Sequence, residues 1–175
     1  MSERKEKQAQ FSAEAKKKSF LPLALIALVV LLGAGVLAYK FIPGAAVGCK
    51  FPEVTAQQGQ IVLPLEKVSN GQAHFFSYRS GATEVNFFVL KSEDGVLRAA
   101  LDTCDVCYHA QKGYRQEGAE MVCNNCNMRF PSNMIAEVQG GCNPAPLKPT
   151  IAEGQVRIDE ADLVAGAWYF QSPPK

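Results

Sequence analysis

Five of the six cysteines in this chain form one spaced pattern. Cys104, Cys107, Cys123, Cys126 and Cys142 read Cys-x2-Cys-x15-Cys-x2-Cys-x15-Cys. Thiolates are soft ligands for zinc, iron, iron–sulfur clusters and copper(I), and two Cys-x-x-Cys units at this separation mark a metal site. Two residues between cysteines let a tight turn aim both sulfurs at one point. Backbone N–H groups in the turn then hydrogen-bond the thiolates. Two such knuckles face to face give four sulfurs around one centre, as in zinc-ribbon or rubredoxin-like sites. Asn127 follows the second pair, and Asn tolerates the left-handed backbone such turns need. Cys142 sits in Gly140-Gly141-Cys142-Asn143-Pro144. Two glycines before a thiolate allow close backbone approach, so Cys142 reads as a fifth ligand or as an exchange partner.

Competing chemistries are weaker. Disulfides suit an oxidising compartment, but five domain cysteines are odd in number unless Cys49 joins them. A thioredoxin-like dithiol lacks flanking βαβ pattern. Covalent haem needs Cys-x-x-Cys-His, and Tyr108 stands where that His belongs. His74 and His109 are the only histidines. His109 is near enough to Cys107 to touch the site, whereas His74 alternates with aromatics in a strand. Met121, Met128 and Met134 lie near the cysteines, where packing is the usual role of Met, and thioether with thiolate also suits copper(I). No Ser-His-Asp set, phosphate loop or spaced carboxylate pair supports a hydrolase.

The elements that must carry these residues are mostly β. Gln60–Leu65 reads as a strand, then Gln72–Tyr78, Glu84–Leu90 and Val96–Leu101, the last with Leu97, Ala99 and Leu101 on one face. The hairpin Glu84–Leu101 delivers the chain to Cys104. Phe75, Phe76, Tyr78, Phe87 and Phe88 are candidates to shield a redox centre. Residues 113–123 read as a smaller hairpin, and the segment after Cys142 as a Pro-rich loop. Gln155–Ile158 is a last strand. Asp159 then caps a helix over Glu160–Ala167, with Trp168, Tyr169 and Phe170 packing that end onto the core. The fold class is therefore α+β and mainly β.

Charge and hydropathy divide the chain further. Residues 1–18 carry six Lys/Arg and three Glu, and residues 20–39 carry no charge. From Phe41 onward 11 Lys/Arg face 14 Asp/Glu, a balance that gives no reason to expect nucleic acid as a partner. The apolar run Phe20–Tyr39 rises about 30 Å as a helix, the thickness of a bilayer core. Lys16, Lys17 and Lys18 precede it, placing the N-terminus in the cytoplasm and the domain outside. The expected organisation is a basic cytoplasmic tail (1–19), a transmembrane helix (20–41), a linker (42–59) and an extracytoplasmic cysteine-rich domain (60–175). That makes a single-pass protein of the cytoplasmic (inner) membrane. A cleaved signal peptide would have a shorter core. A lipoprotein would use Cys49, but no Leu stands three residues before it.

From about Ala73 to Leu147 the chain resembles the FtrD-like family of membrane iron–sulfur-containing proteins. The resemblance rests on Phe87-Phe88-Val89, Asp94-Gly95, the run Ala100 to Tyr108 around the first cysteine pair, Gly113-Tyr114, Met121-Val122-Cys123-Asn124-Asn125-Cys126, Arg129-Phe130 and Gly140-Gly141-Cys142-Asn143-Pro144-Ala145-Pro146-Leu147. It implies a role beside a ferrous-iron transport system, passing electrons or handling metal next to a membrane permease or redox partner. It also implies that Cys104, Cys107, Cys123, Cys126 and Cys142 ligate an iron–sulfur cluster or mononuclear iron. Zinc or copper in a module without redox chemistry, and a dithiol oxidoreductase, are the alternatives.

Overall fold

A computed structural model describes residues 49–171. The basic tail, the apolar run and the first part of the linker lie outside the described residues. Among the described residues no helix is long and apolar enough to cross a membrane.

The described chain is mainly β with little helix. A five-stranded sheet has the order β1 (Glu53–Val54), β3 (His74–Ser80), β4 (Thr83–Lys91), β5 (Leu97–Leu101), β9 (Pro146–Leu147). All its pairings are antiparallel except β1 with β3. A second sheet orders β10 (Thr150–Ala152), β11 (Gln155–Asp159), β2 (Gln60–Pro64). A third orders β6 (Tyr114–Glu117), β7 (Glu120–Cys123), β8 (Arg129–Pro131). Among the described residues the α-helix is the short α1 (Glu160–Ala165).

The large sheet is covered on both faces, and strand alternation decides what each face meets. On β4, Val85, Phe87 and Val89 join a core with Ile61, Leu63, Val156, Ile158 and Leu163 from β2, β11 and α1. Phe88 and Leu90 point the other way, into a cluster with Cys104, Tyr114, Met121, Cys123, Phe130 and Ile135. A central strand buried on both sides explains why Phe87-Phe88-Val89-Leu90 is an unbroken apolar run, fully buried throughout. Leu97, Ala99 and Leu101 do share one face, and Ala100 serves the other.

Several expectations change. The fold begins before Gln60, because β1 pairs with β3 inside the stretch read as linker. The Pro-rich segment after Cys142 is not all loop. Pro146 and Leu147 pair with Ala100 and Ala99, an edge position where a missing proline N–H costs no ladder bond. Asp159 occupies the N-cap position of α1 but makes no capping bond. Its carboxylate instead accepts from Gln60 Nε2 at 2.9 Å. Tyr169 and Phe170 pack against the core as expected, whereas Trp168 is 49% exposed and stacks on Tyr169.

Candidate metal centre

Three loops carry the five cysteines, and each is shaped by local hydrogen bonds. The first leaves β5 at Leu101. Leu101 N–H donates to Ala145 O, and Ala145 N–H donates to Thr103 O, so this segment is clamped to the one after Cys142. Cys107 N–H then donates to Cys104 Sγ at 3.2 Å.

The second loop is the turn between β7 and β8. Asn127 N–H donates to Cys123 O at 2.9 Å, and Cys123 N–H to Met128 O at 3.0 Å. Asn127 has φ +59°, the left-handed conformation that its type tolerates. The third loop turns at Gly140, whose carbonyl accepts from both the N–H and Nδ2 of Asn143. Gly140 and Gly141 have φ of +85° and +62°. A Cβ on Gly141 would meet nothing within 4 Å. Both glycines thus adopt the left-handed backbone that favours glycine.

The loops bring the five sulfurs together in two overlapping groups. The Sγ atoms of Cys104, Cys107 and Cys142 lie within 4.8 Å of one another, and so do those of Cys107, Cys123 and Cys126. Cys107 belongs to both. Cys107 Sγ and Cys142 Sγ are 3.9 Å apart. Tetrahedral coordination with metal–sulfur bonds of about 2.3 Å sets sulfurs about 3.8 Å apart. The spacing and the soft donor set thus fit a thiolate-held metal or small cluster. All six cysteines are free.

Burial raises two of the thiols. It pushes Cys123 up to about 11, against the opposing pull of the Cys126 and Asn125 N–H groups. It pushes Cys142 up to about 12, with Cys126 and Cys107 adding to the rise. Cys126 is shifted the other way, because the Met128 N–H bonds to its exposed sulfur. Binding a cation here must therefore displace protons.

Other candidates fall outside these groups. His74 Nε2 pairs with Asn70 Oδ1 at 2.7 Å, and His109 stacks on Tyr108. Among the described residues neither histidine joins a cysteine group. Met121 is core, while Met128 and Met134 are exposed. Of the five aromatics expected to shield a centre, Phe75 and Phe88 pack on the cysteine side. Phe76, Tyr78 and Phe87 pack on the opposite face of the sheet. Cys49 stands apart, with Arg79 Nη2 donating to its sulfur at 3.0 Å.

Tyr114 and Asp102 were not singled out from the sequence as site residues. Tyr114 faces Cys123 across the β6–β7 pair and wedges between Phe88 and Phe130. Burial raises its hydroxyl pKa far above the ordinary value, with Cys104, Cys123 and Cys142 pushing the same way. The Gly113-Tyr114 dipeptide was the available signal. Gly113 has φ +65°, and a Cβ there would collide with the Asp102 carboxylate.

No curated protein sequence matches the chain. Among solved structures, the quaternary ammonium Rieske monooxygenase CntA in complex with an inhibitor is similar at 17% identity over 54% of this chain, with a TM-score of 0.37. The matched part spans 29% of that protein, a likeness too loose to carry fold or function across. One family profile, that of membrane iron-sulfur containing protein FtrD-like, matches residues 68–170. That span covers every cysteine of both sulfur groups and more than half of the 175 residues. The chain belongs to the FtrD-like family of membrane iron–sulfur containing proteins.

Proposed function

We propose that this protein is a membrane-anchored electron carrier. In this reading Cys104, Cys107, Cys123, Cys126 and Cys142 hold an iron–sulfur or mononuclear iron centre, and the domain works outside the cytoplasm beside an iron permease or its redox partner. The observation that carries the reading is the convergence of five thiols into two groups that share Cys107. Family membership supports iron and sulfur as the group's chemistry. Bound iron would supply one-electron redox chemistry.

The chain's own residues supply the rest. Cys104 and Cys123 are buried, so they hold the centre from the protein side. Cys126 is exposed and marks the edge through which a partner exchanges electrons. Phe75 and Phe88 exclude water from the inner side, which with N–H···S bonds sets a centre's potential. Iron transport as the setting comes from family resemblance alone.

The test is anaerobic purification of the full chain in detergent, followed by metal and acid-labile sulfide analysis and a visible spectrum. Stoichiometric iron with charge-transfer bands that bleach on reduction supports the reading. A colourless protein with stoichiometric zinc makes the site structural. A metal-free protein with oxidised cysteines removes the centre altogether.

A further inference from the structure

We propose that Tyr114 is the positioning residue that keeps Cys142 in the cysteine group, and that Asp102 and Lys50 in turn hold Tyr114. This rests on the metal-centre reading above. Cys142 differs from the other four cysteines in having no Cys-x-x-Cys partner. Its loop contains no regular element between Met134 and Pro146, so its sulfur depends on a few specific ties.

The shortest of these is the Tyr114 hydroxyl, which donates to Cys142 O at 2.6 Å. A carbonyl held by a buried side chain fixes the peptide on either side of it, and with it the direction of Cβ and Sγ. Tyr114 is itself fixed from three sides. Its ring lies between Phe88 and Phe130. Its N–H donates to Asp102 Oδ1 at 2.6 Å. Asp102 has a side chain only 1% exposed, and its other oxygen accepts from Lys50 Nζ at 2.9 Å. The packing leaves no slack, because residue 113 must be glycine to clear the Asp102 carboxylate. One chain of contacts therefore runs from Lys50 through Asp102 and Tyr114 to Cys142. An exposed lysine is thereby linked to a thiol 3.9 Å from the shared Cys107.

The experiment compares Tyr114→Phe, Cys142→Ser and the double variant in the full chain, each purified anaerobically with iron. Tyr114→Phe keeps the ring and removes the donor. The expected result is a shifted charge-transfer spectrum and midpoint potential, with Cys142 alkylated by iodoacetamide about fivefold faster, the counterpart of losing one hydrogen bond. In the Cys142→Ser background the same substitution should add no spectral or potential shift, because the sulfur that the Tyr114–carbonyl bond positions is gone. An equal shift in both backgrounds overturns the proposal, since Tyr114 would then act on the site without Cys142. No shift in either background also overturns it. If Tyr114→Phe does not fold, Lys50→Gln decides. A smaller shift that disappears with Cys142→Ser upholds the contact chain, and an unchanged spectrum breaks it. A wild-type chain without stoichiometric metal overturns the centre reading itself. Metal-loaded wild type with an unresponsive Tyr114→Phe overturns only this proposal.

Discussion

The two faces of the large sheet solve the folding problem differently. One face meets β2, β11 and α1 across a core in which Val85, Phe87, Val89, Ile61, Val156, Ile158 and Leu163 are all fully buried. The other meets a small sheet and three cysteine loops, and its cluster has Cys104 and Cys123 where the first has aliphatic side chains. Ordinary hydrophobic burial, about 1.5–3 kcal/mol for each large side chain, suffices to hold the first face. On the second, loops with few apolar residues converge on thiols that burial has made reluctant to ionise. Such loops stay ordered when a cation is bound among them. On the proposed reading, one sheet thus carries a face held by apolar burial and a face whose loops a bound cation would order.

Metal removal should separate the two faces most sharply. Zinc-finger peptides gain on the order of 10 kcal/mol from their ion. A chelated, reduced chain should lose amide protection across residues 102–145 while β2, β11 and β4 keep theirs. Equal protection with and without metal would mean that the second face needs no ion. Phe87→Ala comes next, because it opens a cavity in the self-sufficient face. It should cost about 3–5 kcal/mol in urea unfolding, with no change in metal content of the folded protein. A cost under about 1 kcal/mol would show the first face to be loosely packed.

Gly113→Ala tests the join between loop and core. A side chain there meets both a left-handed backbone, worth about 1–2 kcal/mol, and the buried Asp102 carboxylate. Unlike Phe87→Ala, it should lower metal affinity together with stability, as read by competition with a chelator. The smallest effect belongs to Asp94, on the β4–β5 turn. Arg98 beside it, with the Ser92 hydroxyl and Val96 N–H, holds its carboxyl well below the usual range. The ion's contribution is therefore complete above the unfolded pKa, about 3.9, and is lost as pH falls toward the lower folded value. Asp94→Asn should lower the melting temperature slightly at pH 7, and the gap to wild type should narrow steadily below about pH 4. A gap independent of pH would mean the hydrogen bonds matter and the charge does not.

Much of the fold was legible in the sequence. The strands β2 to β5, β7 and β11 all appear where alternation and turn residues put them. Asn127 adopts the left-handed backbone its type allows. What escaped were the shortest strands, β1, β8, β9 and β10, each two or three residues long. β1 is two residues long and exists only through β3, and β9 contains a proline that reads as loop until β5 lies beside it. The same holds for the site. Five cysteines at metal-ligand spacing were visible, whereas nothing in that spacing tied Tyr114 or Asp102 to them. The five shielding aromatics could not be divided between faces until the register of β3 against β4 was known.

By itself the sequence determined what is local: the strand periodicity, the turn chemistry, the two Cys-x-x-Cys units and the family they belong to. Tertiary structure alone decided which sulfurs meet, that Cys107 is shared, and that Cys142 is tied to Tyr114. The reason is range. Dihedral preferences and alternation act over a few residues, but Cys107 and Cys142 meet only because β4, β5 and β9 pair in one register and Thr103 is bonded to Ala145.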